Sequence, residues 1–181
     1  MTTLTTERLI MRQWQATDFP AYAKINQNPE VMEFYPSMLT PEESHAQAEK
    51  FRLQIEQKGW GFWALSLKND ERFIGFVGLN DPTYDLPFSP CVEIGWRIDS
   101  AFWRKGYAYE AAQKSLQFGF EVLNLEEIVS FTSTTNLKSM SLMKKLAMTD
   151  TQQNFQHPLI ADGHPLSEHV LYKIRNPALP L

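Results

Sequence analysis

A strand-like stretch, a short loop and a helix-like stretch follow one another between residues 91 and 123. Apolar and polar residues alternate over residues 91–99, which is typical of a β-strand. Apolar residues keep helical spacing over residues 108–123. The loop between them holds one glycine, Gly106. This order predicts a sheet whose strand end lies beside the N-terminus of a helix.

The same loop is suited to bind an anion. Backbone N–H groups at a helix N-terminus have no intrahelical acceptor, and the helix dipole adds partial positive charge there. Gly106 lets a ligand approach the backbone closely, and Arg104 and Lys105 add charge. The loop alone fits an ordinary solvated turn equally well. Neither Gly-x-x-x-x-Gly-Lys-Ser/Thr nor Gly-x-Gly-x-x-Gly occurs, so ATP and dinucleotides are not indicated.

Length and composition further limit the number of domains, the partners and the compartment that the chain is expected to have. A chain of 181 residues is long enough for one domain with a real core, and we expect a single domain over residues 1–181. The net charge of −4 gives no general basic face for nucleic acid. We expect no signal peptide and no membrane span. The single cysteine, Cys91, forbids an internal disulfide and indicates a reducing cytoplasm.

Hydrophobic periodicity and turn residues predict six strands and four helices. The strands are predicted at 7–14, 62–68, 73–80, 91–99, 127–133 and 170–174, with a further strand allowed near 149–156. The helices are predicted to begin at 17, 40, 108 and 136. The fold class is therefore α/β (α+β), with a mixed, mostly antiparallel sheet of about six to seven strands flanked by helices.

Three blocks of sequence carry a family resemblance. Residues 6–12 (TERLIMR) with 28–32, residues 92–96 with 102–111, and residues 136–148 together resemble the GCN5-related N-acetyltransferase (GNAT) superfamily, most closely its ribosomal-protein N-terminal acetyltransferase branch. There are two departures in the matched blocks that bear on the site. Trp103 stands where the superfamily's loop has Gln or Arg. This branch often has an aromatic residue at that position. Met143 stands where many members have a tyrosine general acid, so that role is not carried over.

The resemblance implies acetyl-CoA as co-substrate and no metal. Its pyrophosphate is expected at the N–H groups of residues 104–109, and its pantetheine arm along the edge of the strand that ends at Ile98. The predicted cofactor-binding residues are Trp96, Arg97, Ile98, Arg104, Lys105, Gly106, Tyr107, Ala108, Tyr109, Asn136 and Ser139.

The expected reaction is direct attack of an amine on the thioester, with Glu93 as the candidate general base. The alternative is that Glu93 is a structural carboxylate paired with Arg97, two pleats along the strand. The thiol leaving group departs as a thiolate without an acid, so the missing tyrosine is tolerable. A second hypothesis from another class is a non-catalytic acyl-CoA-binding regulatory module on the same scaffold.

The acceptor is open between a protein N-terminus and a small-molecule amine, and a homodimer is compatible with the aromatic-rich chain. Phe34, Tyr35 and Trp63 are candidates to line the acceptor pocket, although aromatic clusters are more often core. Cys91 is disfavoured as a nucleophile. Three histidines and two acids near the C-terminus are interpreted as solvated loop residues rather than as a metal site. They are His157, His164, His169, Asp162 and Glu168.

Overall fold

The computed structural model describes residues 2–179 as one mixed sheet between two layers of helices. The sheet order is β1-β2-β3-β4-β5-β6-β9-β7, with β8 also paired to β9. Within these residues no helix is both long and apolar enough to cross a bilayer.

The helices agree with the predicted starts to within a residue or two. They are α1 (Asp18–Asn26), α2 (Pro41–Lys58), α3 (Tyr107–Glu121) and α4 (Leu137–Lys145), with a 3₁₀ turn at Ser100–Phe102. The strands are β1 (Leu4–Thr5), β2 (Leu9–Arg12), β3 (Phe62–Leu67), β4 (Phe73–Asn80), β5 (Glu93–Ile98), β6 (Glu127–Ser133), β7 (Thr149–Asp150), β8 (Phe155–Gln156) and β9 (Glu168–Arg175).

The strand count exceeds the predicted six to seven because three two-residue strands extend the sheet. The predicted first strand, residues 7–14, is shorter in the structure, where only β2 (Leu9–Arg12) lies in that range, and β1 (Leu4–Thr5) pairs with it from the N-terminal side of a turn. The polar segment 149–167 contains β7 and β8, both paired to β9. Such short strands carry too few residues for an alternating pattern to be visible in the sequence.

The two faces of the sheet are covered by different helices. Phe62 of β3 packs against Phe51 of α2 with ring centroids 5.1 Å apart, whereas Trp63 packs against Phe118 of α3 at 5.4 Å. Consecutive strand residues point to opposite faces, so α1 and α2 cover one face and α3 the other. Trp63 has no exposed surface. The prediction that it lines an acceptor pocket is therefore wrong, because it belongs to the core under α3.

All neighbouring strands in the described sheet are antiparallel except β5 and β6, which are parallel. Strand β5 pairs with β4 along its full length, from Glu93 to Ile98. Against β6 it makes a single bridge, between Glu93 and Val129. The two strands consequently part from that bridge onward and leave an edge of β5 open.

Helix α2 begins with a complete capping box, as the Thr40-Pro41-Glu42-Glu43 sequence predicts. The Glu43 backbone N–H donates to Thr40 Oγ1 at 3.1 Å, and the Thr40 N–H donates to Glu43 Oε2 at 2.8 Å. Two of the helix's first N–H donors are therefore satisfied locally. The helix ends at Gly59, which has a left-handed φ of 79°.

We expect Thr40→Ala to lower the free energy of unfolding by about 1 kcal/mol, because the Glu43 N–H loses its acceptor. Urea unfolding followed by far-UV circular dichroism measures the change. Thr40→Ser is the matched control and should retain most of the stability, since serine offers the same oxygen. An equal loss in both variants would contradict the capping role.

Candidate active site

The edge of β5 that faces β6 is defined by its first hydrogen bonds. Val92 O accepts from the Val129 N–H at 3.0 Å, and Ile94 O accepts from Ser130 Oγ at 3.0 Å. The N–H and C=O of one strand residue point to the same side, and the side alternates along the strand. The even-numbered residues of β5 therefore direct their backbone groups toward β6.

Beyond Ile94 this edge lacks a neighbouring strand. Ile98 O accepts a hydrogen bond from Trp103 Nε1 at 2.7 Å. In the described part of the chain, no strand pairs with the N–H and C=O of Trp96 or the N–H of Ile98 on this side. Arg97 differs, because its backbone faces β4, where it pairs with Phe76. Of the three residues predicted to form the cofactor edge, only Trp96 and Ile98 present backbone groups to the gap.

The start of α3 lies directly after this open edge. Gly106 is the N-cap, with φ of 83°, and no side chain caps the helix there. The first backbone bond into the helix runs from the Glu110 N–H to Gly106 O, at 3.0 Å. The N–H groups of Tyr107, Ala108 and Tyr109 consequently have no helical acceptor and carry the positive end of the dipole. This geometry matches the anion-binding loop that the sequence predicts.

A clamp from β2 and its preceding turn fixes the loop. The Arg8 guanidinium donates to Lys105 O at 3.0 Å and to Glu110 Oε2 at 2.7 Å, and it lies 4.7 Å from the centroid of the Tyr107 ring. Burial raises the pKa of Glu110, but hydrogen bonds from Thr6 and Arg8 outweigh it and hold that pKa below its ordinary value. Apart from the family resemblance of residues 6–12, no sequence signal points to this clamp, because its partners are about a hundred residues apart.

A cavity of about 800 Å³ runs along the open edge and the loop. Phe34 and Tyr35, from the segment between α1 and α2, form part of its wall. Asn136 and Ser139 line it from α4: Asn136 caps that helix by accepting from the Ser139 N–H at 3.1 Å. Ser139 Oγ also accepts from Trp96 Nε1 at 3.3 Å. The structure thus brings most of the predicted cofactor residues and two predicted acceptor residues around one space.

The cations at this cavity differ in their surroundings. Arg104, Lys138 and Lys145 line it. Lys138 Nζ lies 3.0 Å from a carboxylate oxygen of Glu33. Lys105, by contrast, donates to Ala101 O at 3.0 Å and is not part of the lining. Near the start of α3, the positive charge offered to a ligand therefore comes from Arg104, the two lysines of α4 and the helix N-terminus, while Arg97 adds a further cation to the lining from β5.

Glu93 lies where β5 and β6 bridge, before the two strands part, and it is not among the residues that line the cavity. Its carboxylate accepts from Asn80 Nδ2 at 2.7 Å. Burial raises the pKa of Glu93 to about 7, against the smaller opposite effect of the Asn80 hydrogen bond. No ion pair joins Glu93 and Arg97, so the structural alternative of a paired carboxylate is wrong. A carboxyl with this pKa can take up and release a proton near neutral pH.

Cys91 lies in an environment that disfavours a nucleophilic role. Burial, with a smaller contribution from Glu93, raises the pKa of Cys91 to about 11. The thiol is therefore protonated at neutral pH and a weak nucleophile.

Two of the three C-terminal histidines pack rather than face solvent. His157 and His169 have ring centroids 4.8 Å apart and stack among Phe131 and Phe155. Burial and the neighbouring His169 lower the pKa of His157 to about 4, so it is neutral at pH 7. The interpretation as a solvated loop histidine is wrong for His169, which lies in β9 and is 8% exposed, whereas His157 lies in a loop and is half-buried. Among residues 2–179 no three His, Cys, Asp or Glu residues are grouped as metal ligands.

A parted parallel strand pair, an open strand edge and the uncapped N-terminus of α3 thus lie around one cavity. Comparison with known proteins identifies the class. The family model described as Acetyltransferase (GNAT) domain matches residues 8–149. The chain belongs to this family, and it is an N-acetyltransferase.

Individual relatives agree with this assignment. The curated protein named Uncharacterized N-acetyltransferase YnaD, from Bacillus subtilis, is 28% identical over 172 residues, covering 94% of this chain and 95% of the relative. A solved acetyltransferase from Agrobacterium tumefaciens superposes with a TM-score of 0.77 at 27% identity, over 97% of this chain and 95% of the other.

A third comparison is with a ribosomal-protein acetyltransferase. The structure described as RimL, a ribosomal L7/L12 α-N-protein acetyltransferase in complex with coenzyme A, superposes with a TM-score of 0.75. It covers 96% of this chain and 98% of the other, at 14% identity, and so shows a shared fold. Ribosomal-protein acetyltransferases are thus among the structural neighbours, as the sequence resemblance predicts.

We expect Glu93→Gln to stabilise the protein at pH 8. Between the ordinary carboxyl pKa of 4.5 and about 7, the folded state keeps a proton that the unfolded state has lost, so stability falls as pH rises through this window. The variant removes that cost, on the order of 1–3 kcal/mol, and its amide oxygen still accepts from Asn80.

Thermal unfolding of both proteins at pH 8 and pH 5 measures this effect. The advantage of the variant should shrink at pH 5, where the wild-type carboxyl is largely protonated when folded. A variant that is less stable than wild type at pH 8 would show that Glu93 is not held in a desolvated site.

Proposed function

We propose that the protein transfers the acetyl group of acetyl-CoA to a primary amine by direct attack. One observation carries the proposal: the N–H and C=O of Trp96 and the N–H of Ile98, which no described strand pairs with, lie next to the uncapped N-terminus of α3. An extended amide-containing arm can pair with such a strand edge, while a pyrophosphate at its end accepts from the helix N–H groups. Few other ligands combine these two features.

The residues present fit this co-substrate. The N–H groups of residues 107–109 lie at the positive end of α3, and Gly106 leaves the approach to them free of a Cβ. Arg104, Lys138 and Lys145 add charge for the phosphates. Acetyl-CoA supplies a thioester, whose carbonyl carbon is the electrophile. The N–H groups of Trp96 and Ile98 are the unpaired donors that could stabilise charge developing on its oxygen.

Glu93 is proposed as the general base. An amine with a pKa near ~10.4 or an α-amine near ~7.7–8.0 is largely protonated at neutral pH. As the amide forms, the nitrogen loses one proton, which the departing thiolate can take up; an earlier proton must be removed before the amine can attack. A carboxylate with a pKa of about 7 is half ionised there and can receive that proton directly or through a water. Glu93 shares the sheet face of Gly95 and Arg97, toward α1 and α2, so the acceptor is expected from that side.

No side chain is needed to protonate the leaving group. Met143 occupies the position of the family's frequent tyrosine and is 1% exposed. A thiol pKa near ~8.5 makes the thiolate a stable leaving group at neutral pH. The reaction therefore depends on positioning, on the donors of β5 and on removal of the amine proton.

The acceptor is proposed to be a small-molecule amine or a protein N-terminus. Likeness to RimL, which is described as acting on a ribosomal protein, supports the second class. Phe34 and Tyr35 are proposed to line the acceptor side of the cavity. Release of CoA thiol over a panel of small amines and N-terminal peptides tests the function. Acceptor-dependent release supports it, whereas acetyl-CoA binding without turnover by any amine would indicate a binding module.

We expect Gly106→Val to raise the dissociation constant for acetyl-CoA at least tenfold. Valine disfavours a φ of 83°, and its Cβ would come 3.3 Å from Arg8 Nη2, so the N–H cradle would shift. Isothermal titration calorimetry measures binding. Gly163→Val is the matched control, because Gly163 has φ of 75° in a loop where an added Cβ would meet no atom within 4 Å. Equal weakening in both variants would refute a specific role for the loop.

We expect kcat/KM of the wild type to rise with pH through about 7 and then level, following ionisation of Glu93. Glu93→Gln should lower kcat about 10²–10⁴-fold with the acetyl-CoA dissociation constant nearly unchanged. Steady-state rates between pH 5.5 and 9 check both statements. Unaltered turnover in the variant would remove Glu93 from the chemistry.

A further inference from the structure

Arg97 is a buried cation that meets no carboxylate. Its residue is only 7% exposed. Its Nη1 donates to Tyr22 Oη at 2.9 Å, to Asn26 Oδ1 at 2.8 Å and to Gln47 Oε1 at 3.1 Å. All three acceptors are neutral, because burial raises the pKa of Tyr22 to about 12. In the described part of the chain no acidic oxygen lies within 4 Å of this guanidinium.

The surroundings of Arg97 differ from those of Arg12, a second largely enclosed arginine, which lies near α1. Arg12 pairs with Asp18 through two hydrogen bonds, of 2.7 and 2.9 Å. Burial by itself lowers the pKa of Arg97, but Tyr35 and Tyr22 outweigh burial and raise that pKa above its usual value. Arg97 therefore stays charged, and a buried charge without a counter-charge is unfavourable unless a ligand supplies one.

One edge of the guanidinium takes no part in the three hydrogen bonds to Tyr22, Asn26 and Gln47. Nη1 makes all three, whereas Nε is enclosed without a partner. Nη2 makes none of these three hydrogen bonds, and Tyr35 is the other side chain whose hydrogen bonding contributes to the raised pKa of Arg97. Nε and Nη2 lie on the same side of the planar group, and together they form the fork that binds the two oxygens of a carboxylate.

This edge of the guanidinium belongs to the acceptor side of the site. Arg97 lines the 800 Å³ cavity together with Tyr35, whose ring centroid is 4.1 Å from the guanidinium carbon. Arg97 and Glu93 lie on the same face of β5, four residues or about 13 Å apart along the strand. Tyr35 is 37% exposed, so this side of the guanidinium is covered by a side chain that itself reaches solvent.

We propose that Arg97 is a specificity-determining residue and that the acceptor is an amine carrying a carboxylate, which pairs with the Nε and Nη2 edge while the amine lies toward Glu93. This inference rests on the proposed acetyl transfer. The cofactor phosphates have their own partners at residues 104–109 and on α4, so the anion at Arg97 comes from the acceptor. The carboxylate neutralises the buried guanidinium and takes no part in forming or breaking covalent bonds.

The test compares acceptors in matched pairs. Glycine, β-alanine, 4-aminobutyrate, 6-aminohexanoate and L-phenylalanine are each assayed beside the corresponding primary amide, which has the same amine position and no charge. At the favoured spacing, wild type should prefer the carboxylate by about tenfold to about a hundredfold in kcat/KM. Arg97→Met should reduce that ratio to near one. Using the ratio cancels any general effect of the substitution on turnover.

Two further variants separate charge from structure. Arg97→Lys keeps the charge without the fork and should retain a weaker preference, which also covers the case that Arg97→Met does not fold. Arg52→Met, on α2 and outside the cavity, is the matched control and should keep the wild-type ratio. The proposal would be overturned if wild type showed no carboxylate preference at any spacing. It would also be overturned if both Arg97 variants kept the wild-type preference. A change confined to the KM for acetyl-CoA would likewise overturn it, because that result would assign the anion to the co-substrate.

A failure of the proposed acetyl transfer gives a different result. If no amine in the panel releases CoA, the same carboxylates and amides are titrated by calorimetry into wild type and Arg97→Lys saturated with CoA. Carboxylate binding at least tenfold tighter in wild type would support the anion site without catalysis. Equal affinities in the two proteins, or no binding, would overturn it.

Discussion

The single bridge between β5 and β6 is the constraint on which the site depends. One pairing, Glu93 with Val129, joins two parallel strands that then separate. Backbone N–H and C=O groups are strong donors and acceptors that folded proteins rarely leave unpaired. Because β6 has parted from β5, no described strand pairs with the N–H and C=O of Trp96 or with the N–H of Ile98. These groups remain available at the edge of a gap, beside the N–H groups that begin α3. The parting turns an ordinary sheet edge into a place for an extended ligand.

The parts that keep this gap open come from distant segments. Arg8 links the turn before β2 to the loop at Lys105 and to Glu110 on α3, across about a hundred residues. Trp103 covers the carbonyl of Ile98 and so ends the open edge. These contacts are polar and directional, whereas the apolar layers on either side only hold the sheet between the helices. The loop is thus positioned by hydrogen bonds rather than by burial alone.

Local features of the fold can be predicted from the sequence, and long-range ones cannot. The alternation of residues 91–99 and the capping box at Thr40 depend on neighbours a few residues away, and both predictions agree with the structure. The prediction for Trp63 fails because alternation in β3 does not say which helix covers which face. The backbone of Arg97 faces β4 rather than the cofactor edge, and only the strand pairing decides that direction. The partners of Glu93 likewise depend on the register of β4, which places Asn80 opposite it.

The two buried ionisable groups of β5 show how strand geometry can reserve charges for a ligand. Glu93 and Arg97 lie on one face, and a direct ion pair would have neutralised both. Instead each turns to neutral partners: Asn80 for the carboxylate, and Tyr22 with other uncharged acceptors for the guanidinium. Four residues of extended strand separate their Cα atoms by about 13 Å, so a salt bridge would require both side chains to lean along the strand. Desolvation consequently raises the pKa of Glu93 instead of being offset by Arg97, and the Arg97 Nε has no partner among the described residues. An acceptor with an amine at one end and a carboxylate at the other would give Glu93 a proton donor and Arg97 a counter-charge.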